Sequence, residues 1–281
     1  YQAGQEGTPM TEMLTSWLTY DFMKNALIAV LIITPLFGLL GTMIVNNKMA
    51  FFSDALGHSA FTGIAIGILL GLKNPVLSMV AFGIFLGLAI SRVKSFKTAS
   101  TDTIISVFSS VSVALGIVIL SKNGGFSKYS SYLIGDILIV TPSEILYMAL
   151  VLTASYIIWF IIYNRLLIVS INSSLASSRG INCALMENIF VVMLAVSVML
   201  SVKWIGILTI NSLLILPPAA ARNIALNSKQ YHFISLFIGV ISGMTGLILS
   251  FYMGTSAGAT MVLSSAVIYF ITLLFKKSVR K

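Results

Sequence analysis

Residues 51–67 of the chain read FFSDALGHSAFTGIAIG, an apolar run in which Asp54 and His58 stand four residues apart. Residues at positions i and i+4 lie on one face of a helix, so the carboxylate and the imidazole are predicted to face the same way. Ionisable groups at membrane depth are costly and usually face a cavity, a partner or a substrate path. The pair therefore indicates a metal or proton site in a transport protein.

The composition of the whole chain is that of a polytopic membrane protein. Of its 281 residues, 58% are hydrophobic and 9% are charged, whereas about a quarter of the residues of a soluble protein are charged. The net charge of +9 comes from short basic clusters at the ends of apolar runs, as the positive-inside rule expects. Membrane orientation therefore explains the charge better than nucleic-acid binding does. The single cysteine, Cys183, excludes a disulfide within one chain.

Nine apolar runs approach the length of about 20 residues that a spanning helix needs, and they predict an all-α membrane protein with eight or nine transmembrane helices. The runs are 22–45, 50–72, 75–91, 103–121, 143–163, 187–202, 204–224, 231–252 and 257–275. Pro217 and Pro218 interrupt the run 204–224, and a proline pair removes two backbone donors. We therefore expect a broken helix at these prolines, where the freed backbone groups would line a cavity or be buried in protein.

The charges between the runs predict the orientation and the domain organisation. Residues 1–20 form a tail or interfacial segment, and residues 21–281 form one transmembrane domain. If nine spans alternate, most of the basic residues fall on one side, which should be cytoplasmic. The N-terminus then lies outside and the C-terminus inside. The basic residues on the cytoplasmic side are Lys48, Arg92, Lys94, Lys97, Arg165, Arg179, Arg222, Lys229, Lys276, Lys277, Arg280 and Lys281.

Two stretches are too polar to span the membrane but have an organised pattern. On the cytoplasmic side, within 164–186, residues 171–180 predict a short helix with an Asn/Ser-rich start and a glycine stop at Gly180, which is typical of a docking element. On the outer side, within 124–142, residues 132–138 form an apolar piece too short to cross and predict a half-helix. Asp136 in this piece either guides cations toward a pore or caps a turn.

Asp54 and His58 suit a divalent transition metal. A carboxylate oxygen and a neutral imidazole nitrogen are ligands for zinc, manganese or iron(II). The alternative is a hydrogen-bonded pair that locks two helices together. These two side chains alone cannot complete the coordination of a bound ion, since zinc usually has four ligands and manganese six. Water, backbone or a second chain would have to supply the others.

Motifs of ATP hydrolysis and of common membrane enzymes are missing from the sequence. There is no Gly-x4-Gly-Lys-Ser/Thr, so the chain has no phosphate-binding loop and does not hydrolyse ATP unaided. Neither His-Glu-x2-His nor Gly-x-Ser-x-Gly occurs, which argues against a metalloprotease or a serine hydrolase. The sequence therefore indicates a transport subunit and not an enzyme.

Four stretches, in order along the chain, resemble motifs of the membrane permease subunit of bacterial ABC importers for zinc, manganese and iron(II). They are Phe52 to Ala65 with Asp54 and His58, Thr101-Asp102-Thr103 with Ala114 to Gly116, Tyr132 to Leu138 with Pro142-Ser143-Glu144, and Gly206 to Arg222. Two departures stand out: Thr101 replaces the family's usual glutamate, and Gly254 to Gly258 lacks the acid and the proline that the family tends to have near its C-terminus.

The resemblance implies a type II-like importer permease in the bacterial cytoplasmic membrane. It implies a homodimer that works with two cytoplasmic ATPase subunits, which bind the ATP, and with an extracytoplasmic metal-binding protein, with no resident cofactor. Asp54 and His58 would hold the transported manganese or zinc, or iron, during passage. The segment that contacts the ATPase would be the short cytoplasmic helix, with Ile171, Asn172, Leu175, Ala176, Arg179 and Gly180.

Two alternative functions stay open at this point. A stand-alone, proton-coupled metal carrier would need no ATPase subunit. An ABC permease for a metal chelate would work by the same mechanism, but a bulky substrate has less need of an Asp-His ligand pair. A polytopic membrane metalloenzyme is a weaker alternative, because few further His, Cys or Glu residues occur at membrane depth.

Overall fold

Long apolar helices make up nearly all of the computed structural model, which describes residues 16–96, 99–122 and 135–279 and contains no strand within those ranges. The α-helices of the described ranges are α1 (Asp21–Asn46), α2 (Ala50–Leu69), α3 (Val76–Ser95), α4 (Thr101–Lys122), α5 (Pro142–Ile171), α6 (Ser173–Ser178), α7 (Cys183–Ile224), α8 (Ser228–Met253) and α9 (Ala257–Val279). Short 3-10 turns lie at Ser16–Thr19 and Ile137–Ile139. All the helices except α6 are long and apolar enough to cross a membrane, so the chain is a multi-pass membrane protein.

Two predicted segments lie partly outside the described residues. The predicted N-terminal tail is described only from Ser16 onward, and Trp17 in its 3-10 turn is buried. The first three residues of the predicted outer half-helix, 132–134, also lie outside the described residues. Its described end is the 3-10 turn Ile137–Ile139, with Asp136 at its start.

Helices α1, α2 and α7 form the centre of the bundle. They are mostly buried, whereas less than a third of the apolar stretch of α4, α5 or α9 is buried, as expected of helices that face lipid or a partner. Glycines allow the close approaches around α2: a Cβ at Gly63 would overlap the backbone of Met79 in α3, and a Cβ at Gly57 would overlap the side chain of Ile207 in α7. Small residues at such contacts are how membrane helices pack without a hydrophobic driving force.

Helix α7 is too long to cross once. Its 42 residues would extend about 63 Å as a straight helix, roughly twice the ~30 Å hydrocarbon core. Gly206 is the only non-helical residue inside it, with φ 74° and ψ 160°, and it divides α7 into the pieces 183–205 and 207–224. This backbone region is essentially restricted to glycine.

The two pieces of α7 run in opposite directions across the bundle. At the end of the first piece, Lys203 Nζ lies 2.6 Å from Glu144 Oε1 at the start of α5. Near the end of the second piece, Arg222 lines the same cavity as Ile171, which is the last residue of α5. The first piece therefore runs toward the start of α5, and the second returns to its end. With α7 counted as two pieces, the described residues hold nine candidate membrane-spanning segments, in line with the nine apolar runs.

The expectation of a helix break at Pro217 and Pro218 is wrong. Both prolines lie within a continuous helical stretch of α7 and are buried. Their missing N–H groups are tolerated because neighbouring helices pack closely there: a Cβ at Gly41 in α1 would meet the Leu214 carbonyl and the Pro218 ring. Proline is accommodated in membrane helices that are supported in this way, whereas the reversal requires the backbone freedom of Gly206.

The reversal at Gly206 is held by a second glycine. Gly135 has φ 61°, and a Cβ on it would overlap the backbone of Ile205 and Gly206. The chain before Ile137–Ile139 therefore lies directly on the turn of α7. The close approach of two glycine backbones fixes this turn in the outer part of the bundle.

We expect Gly206→Ala to destabilise the protein more than Gly254→Ala. Gly254 caps the C-terminus of α8 in the left-handed conformation, with φ 61°, and an added Cβ would have no neighbour within 4 Å. Alanine there costs only the strain of the left-handed backbone conformation, about 1–2 kcal/mol. Alanine at Gly206 must occupy a region that side chains essentially avoid. Thermal unfolding of the detergent-solubilised variants measures the difference, and equal unfolding temperatures would contradict a reversal that depends on glycine.

Candidate metal site

Asp54 and His58 lie one turn apart on α2, as predicted, and their side chains meet. Asp54 Oδ1 is 3.3 Å from His58 Nε2. The two side chains remain 44% and 45% exposed, respectively, although Ser53, Leu56 and Ser59 between and beside them are fully buried. The pair thus occupies an open sector of a mostly buried membrane helix.

Three neighbouring helices fix the orientation of α2. Met79 of α3 approaches the backbone of Gly63, as described above, and the Thr62 hydroxyl donates to the carbonyl of Ser112 in α4. Ile207 of α7 covers Gly57. Because these contacts hold α2 on several sides, the helix cannot rotate Asp54 and His58 out of their open sector without losing them.

Asn211 belongs to the site and was missed by the sequence analysis. Its Nδ2 donates to Asp54 Oδ1 at 2.6 Å, and it lies just over one turn after the reversal at Gly206. The second piece of α7 therefore contacts the carboxylate directly. A lone amide in the apolar run 204–216 is a signal that could have been noticed, since polar side chains at membrane depth usually bond across helices.

A small cavity with hydroxyl groups opens beside Asp54. It has a volume of about 150 Å³ and lies between the start of α2 and the first half of α4. Its lining consists of Phe51, Asp54, Ile105, Ser106, Ser109 and Ser110. Ser106 and Ser110 are exposed, so this face of α4 presents hydroxyl groups outward next to the carboxylate.

The arrangement offers oxygen and nitrogen donors of the kind that bind divalent transition metals. Asp54 supplies carboxylate oxygens and His58 supplies an imidazole nitrogen. Within the described ranges, no three His, Cys, Asp or Glu side chains come together. Further ligands would have to be amide or hydroxyl groups, water or groups of a second chain.

Asp136 lies at a different place, in a larger cavity on the side of the bundle that holds Lys203 and Glu144. This outer cavity has a volume of about 580 Å³ and is also lined by Lys203 and Thr209. Asp136 Oδ1 accepts a hydrogen bond of 2.9 Å from the Leu138 backbone N–H. It therefore caps a turn and at the same time places a carboxylate at the cavity wall.

The short helix predicted at 171–180 exists as α6. Asn172 begins it, with its side-chain oxygen accepting from the Leu175 N–H, and Gly180 follows it with φ 73°. This matches the predicted start and stop. Ile171 and Leu175 are 75% and 45% exposed, so the chain presents apolar side chains at the surface where α5 passes into α6.

The other residues predicted for this segment have different environments. Ala176 is fully buried, whereas Arg179 is exposed at the C-terminal cap. Cys183, at the start of α7, places its Sγ 3.5 Å from the Ser173 carbonyl and 3.6 Å from the Ser177 hydroxyl. The free thiol thus joins α6 to α7.

Several known proteins are similar to this chain, in sequence and in fold, over nearly its whole length. The chain is 32% identical over 261 residues to the high-affinity zinc uptake system membrane protein ZnuB of Haemophilus influenzae, covering 92% of this chain and 98% of the relative. It is 27% identical to the manganese transport system membrane protein MntC of Listeria innocua, covering 93% of each.

A solved structure, PsaBC from Streptococcus pneumoniae in complex with Fab, matches with a TM-score of 0.81 and 26% identity, over 94% of this chain and 95% of that one. The family model of the ABC 3 transport family matches residues 19–276. The resemblance inferred from the sequence motifs is confirmed by this match, and the chain belongs to the ABC 3 transport family.

Proposed function

We propose that the chain is the permease subunit of an ABC importer that moves a divalent transition metal, manganese or zinc, into a bacterial cell. The observation that carries the proposal is the half-exposed Asp54–His58 pair inside a membrane-spanning helix. The similarity to membrane proteins of a zinc uptake system and of a manganese transport system supports this substrate class. A metal ion here is the transported substrate and not a resident cofactor.

The cost of a charge in the membrane supports a transport role for the pair. An ionised carboxylate at membrane depth is unfavourable unless it faces water, a partner or a cation. Asp54 has the Asn211 amide and the His58 imidazole beside one oxygen, and a large part of its side chain stays open. A passing cation would complete the site by neutralising this carboxylate.

The open sector around Asp54 is proposed to face a second copy of the chain. Ser106 and Ser110 are exposed beside Asp54, and hydrocarbon offers no partner for hydroxyl groups or for a carboxylate. A two-fold axis next to this face of α4 would cover the polar groups of both copies and enclose a path between them. Cyclic two-fold dimers are the commonest homo-oligomers.

Metal would enter through the outer cavity, from an extracytoplasmic binding protein. Asp136 places a carboxylate at the cavity wall, and the positive charge of Lys203 is balanced by Glu144 at 2.6 Å. Thr209, on the same helix as Asn211, also lines this cavity.

The separate ATPase would act through α6. A partner can bias two conformations of the permease only by binding them differently, so a contact surface is needed at the cytoplasmic side. Ile171 and Leu175 supply exposed apolar side chains there. Asn172, Ala176, Arg179 and Gly180 shape the helix that carries them.

We expect Asp54→Ala and His58→Ala to lower metal uptake at least about tenfold, the lower range for losing a group that supports a metal site, while assembly with the ATPase is retained. Uptake of Mn²⁺ or Zn²⁺ into proteoliposomes containing the whole importer measures the effect. Asp21→Ala is the matched control, because Asp21 forms an exposed pair with Lys24 at 2.8 Å. Normal uptake by both site variants would contradict the proposal.

We expect a disulfide across the dimer axis when Ser110→Cys is combined with Cys183→Ser, which removes the native thiol. Mild oxidation of membranes followed by non-reducing electrophoresis would reveal a band of twice the monomer mass. The control is Phe160→Cys in the same background, since Phe160 is 78% exposed on α5, away from α4. Dimer bands of equal strength from both variants, or none from Ser110→Cys, would argue against this interface.

We expect Leu175→Asp to weaken copurification of the ATPase, because a charge replaces an exposed apolar side chain on α6. Ile139→Asp introduces the same charge at a residue that is 71% exposed on the outer side. It should leave the complex intact. The measurement is the ratio of ATPase to permease after purification. An unchanged ratio in Leu175→Asp would show that α6 does not contact the ATPase.

A further inference from the structure

One atom of the site lacks a partner among the described residues. Within 16–96, 99–122 and 135–279, Asn211 Oδ1 is buried and accepts no hydrogen bond, although the Nδ2 of the same amide donates to Asp54. A buried carbonyl oxygen without a partner is unfavourable, and such atoms are rare in folded proteins. A ligand that the amide oxygen can bind would explain why this position carries an amide.

The two ends of an amide suit two different states of the site. Without a cation, the carboxylate of Asp54 is best met by a donor, and Nδ2 provides it at 2.6 Å. With a cation beside the carboxylate, an N–H group would point its positive hydrogen toward the metal. A half-turn of the amide about its Cβ–Cγ bond exchanges the donor for the acceptor.

We propose that Asn211 is a third metal ligand, which turns its amide so that Oδ1 binds the ion held by Asp54 and His58. The inference rests on the proposed function and extends it to a residue on another helix. A carboxylate oxygen, an amide oxygen and an imidazole nitrogen form a donor set that manganese and zinc both accept. The hydroxyl groups of α4 or water complete the coordination.

A ligand at this position connects the metal to α7. Asn211 belongs to the piece 207–224, which begins at the glycine reversal and ends near Arg222. Arg222 lines a cavity together with Ile171, the residue before the cytoplasmic helix. An ion bound by Asp54 of α2 and by Asn211 of α7 would therefore link the two helices, and its release would free them to move apart.

The test compares Asn211→Leu, which removes both the donor and the acceptor, with Asn211→Asp, which keeps an oxygen but no donor. Binding of Mn²⁺ or Zn²⁺ alone to the purified permease–ATPase complex is measured by titration calorimetry. We expect Asn211→Leu to weaken binding about 10- to 100-fold and Asn211→Asp to bind at least as tightly as the unmodified protein. The control is Asn223→Leu. Asn223 lies on α7 like Asn211, but its amide donates to Thr272 Oγ1 on α9, so its loss should leave metal binding unchanged.

The outcomes separate this inference from the proposed function. If Asn211 only holds Asp54 in place by donating, Asn211→Asp will lose binding along with Asn211→Leu, and the ligand role is overturned. Unchanged binding in Asn211→Leu overturns it as well. In both cases loss of binding in Asp54→Ala leaves the proposed function standing, whereas retained binding in Asp54→Ala removes both. If Asn211→Leu does not assemble, Asn211→Asp decides alone: retained binding supports the ligand role and lost binding overturns it.

Discussion

The carboxylate of Asp54 sets the main constraint on this bundle, because hydrocarbon can neither hydrate a charge nor supply a hydrogen bond. Two side chains offer nitrogen atoms to the same carboxylate oxygen, Asp54 Oδ1: His58 from the same helix, and Asn211 from α7, far along the chain. Most of α2 is buried, and Asp54 and His58 lie in a sector that stays open. The packing of α3, α4 and α7 around α2 can thus be understood as a scaffold that presents one costly group in a defined direction.

The fold-back of α7 makes the meeting of Asp54 and Asn211 possible. If α7 continued straight after Ile205, residue 211 would leave the bundle on the outer side. Because the chain reverses at Gly206, the second piece returns alongside α2 and α1. The Lys203–Glu144 ion pair and the Gly135 backbone hold the turn from outside. A local backbone property of one glycine therefore has a consequence for the chemistry at the centre of the membrane.

Much of this architecture follows from the sequence, for identifiable reasons. The nine crossings are encoded in apolar runs that a bilayer requires, and the short helix at Ser173–Ser178 is marked by Asn172 and Gly180. The Asp54–His58 contact depends only on helical spacing. By contrast, a broken helix was expected at the prolines, whereas the non-helical residue is Gly206, which looks like any other membrane glycine until its dihedral angles are seen. Asn211 was missed because its partner lies 157 positions away, and tertiary packing alone brings them together.

The lone thiol of Cys183 gives the cytoplasmic side a natural reporter. It lies where α6 meets α7, within hydrogen-bonding reach of Ser173 and Ser177. A fluorophore or spin label attached there would sense any separation of the two helices, without an introduced cysteine. Nucleotide cycling in the ATPase could then be followed as a change in the label's mobility, which would time the movement of the cytoplasmic helix relative to metal release.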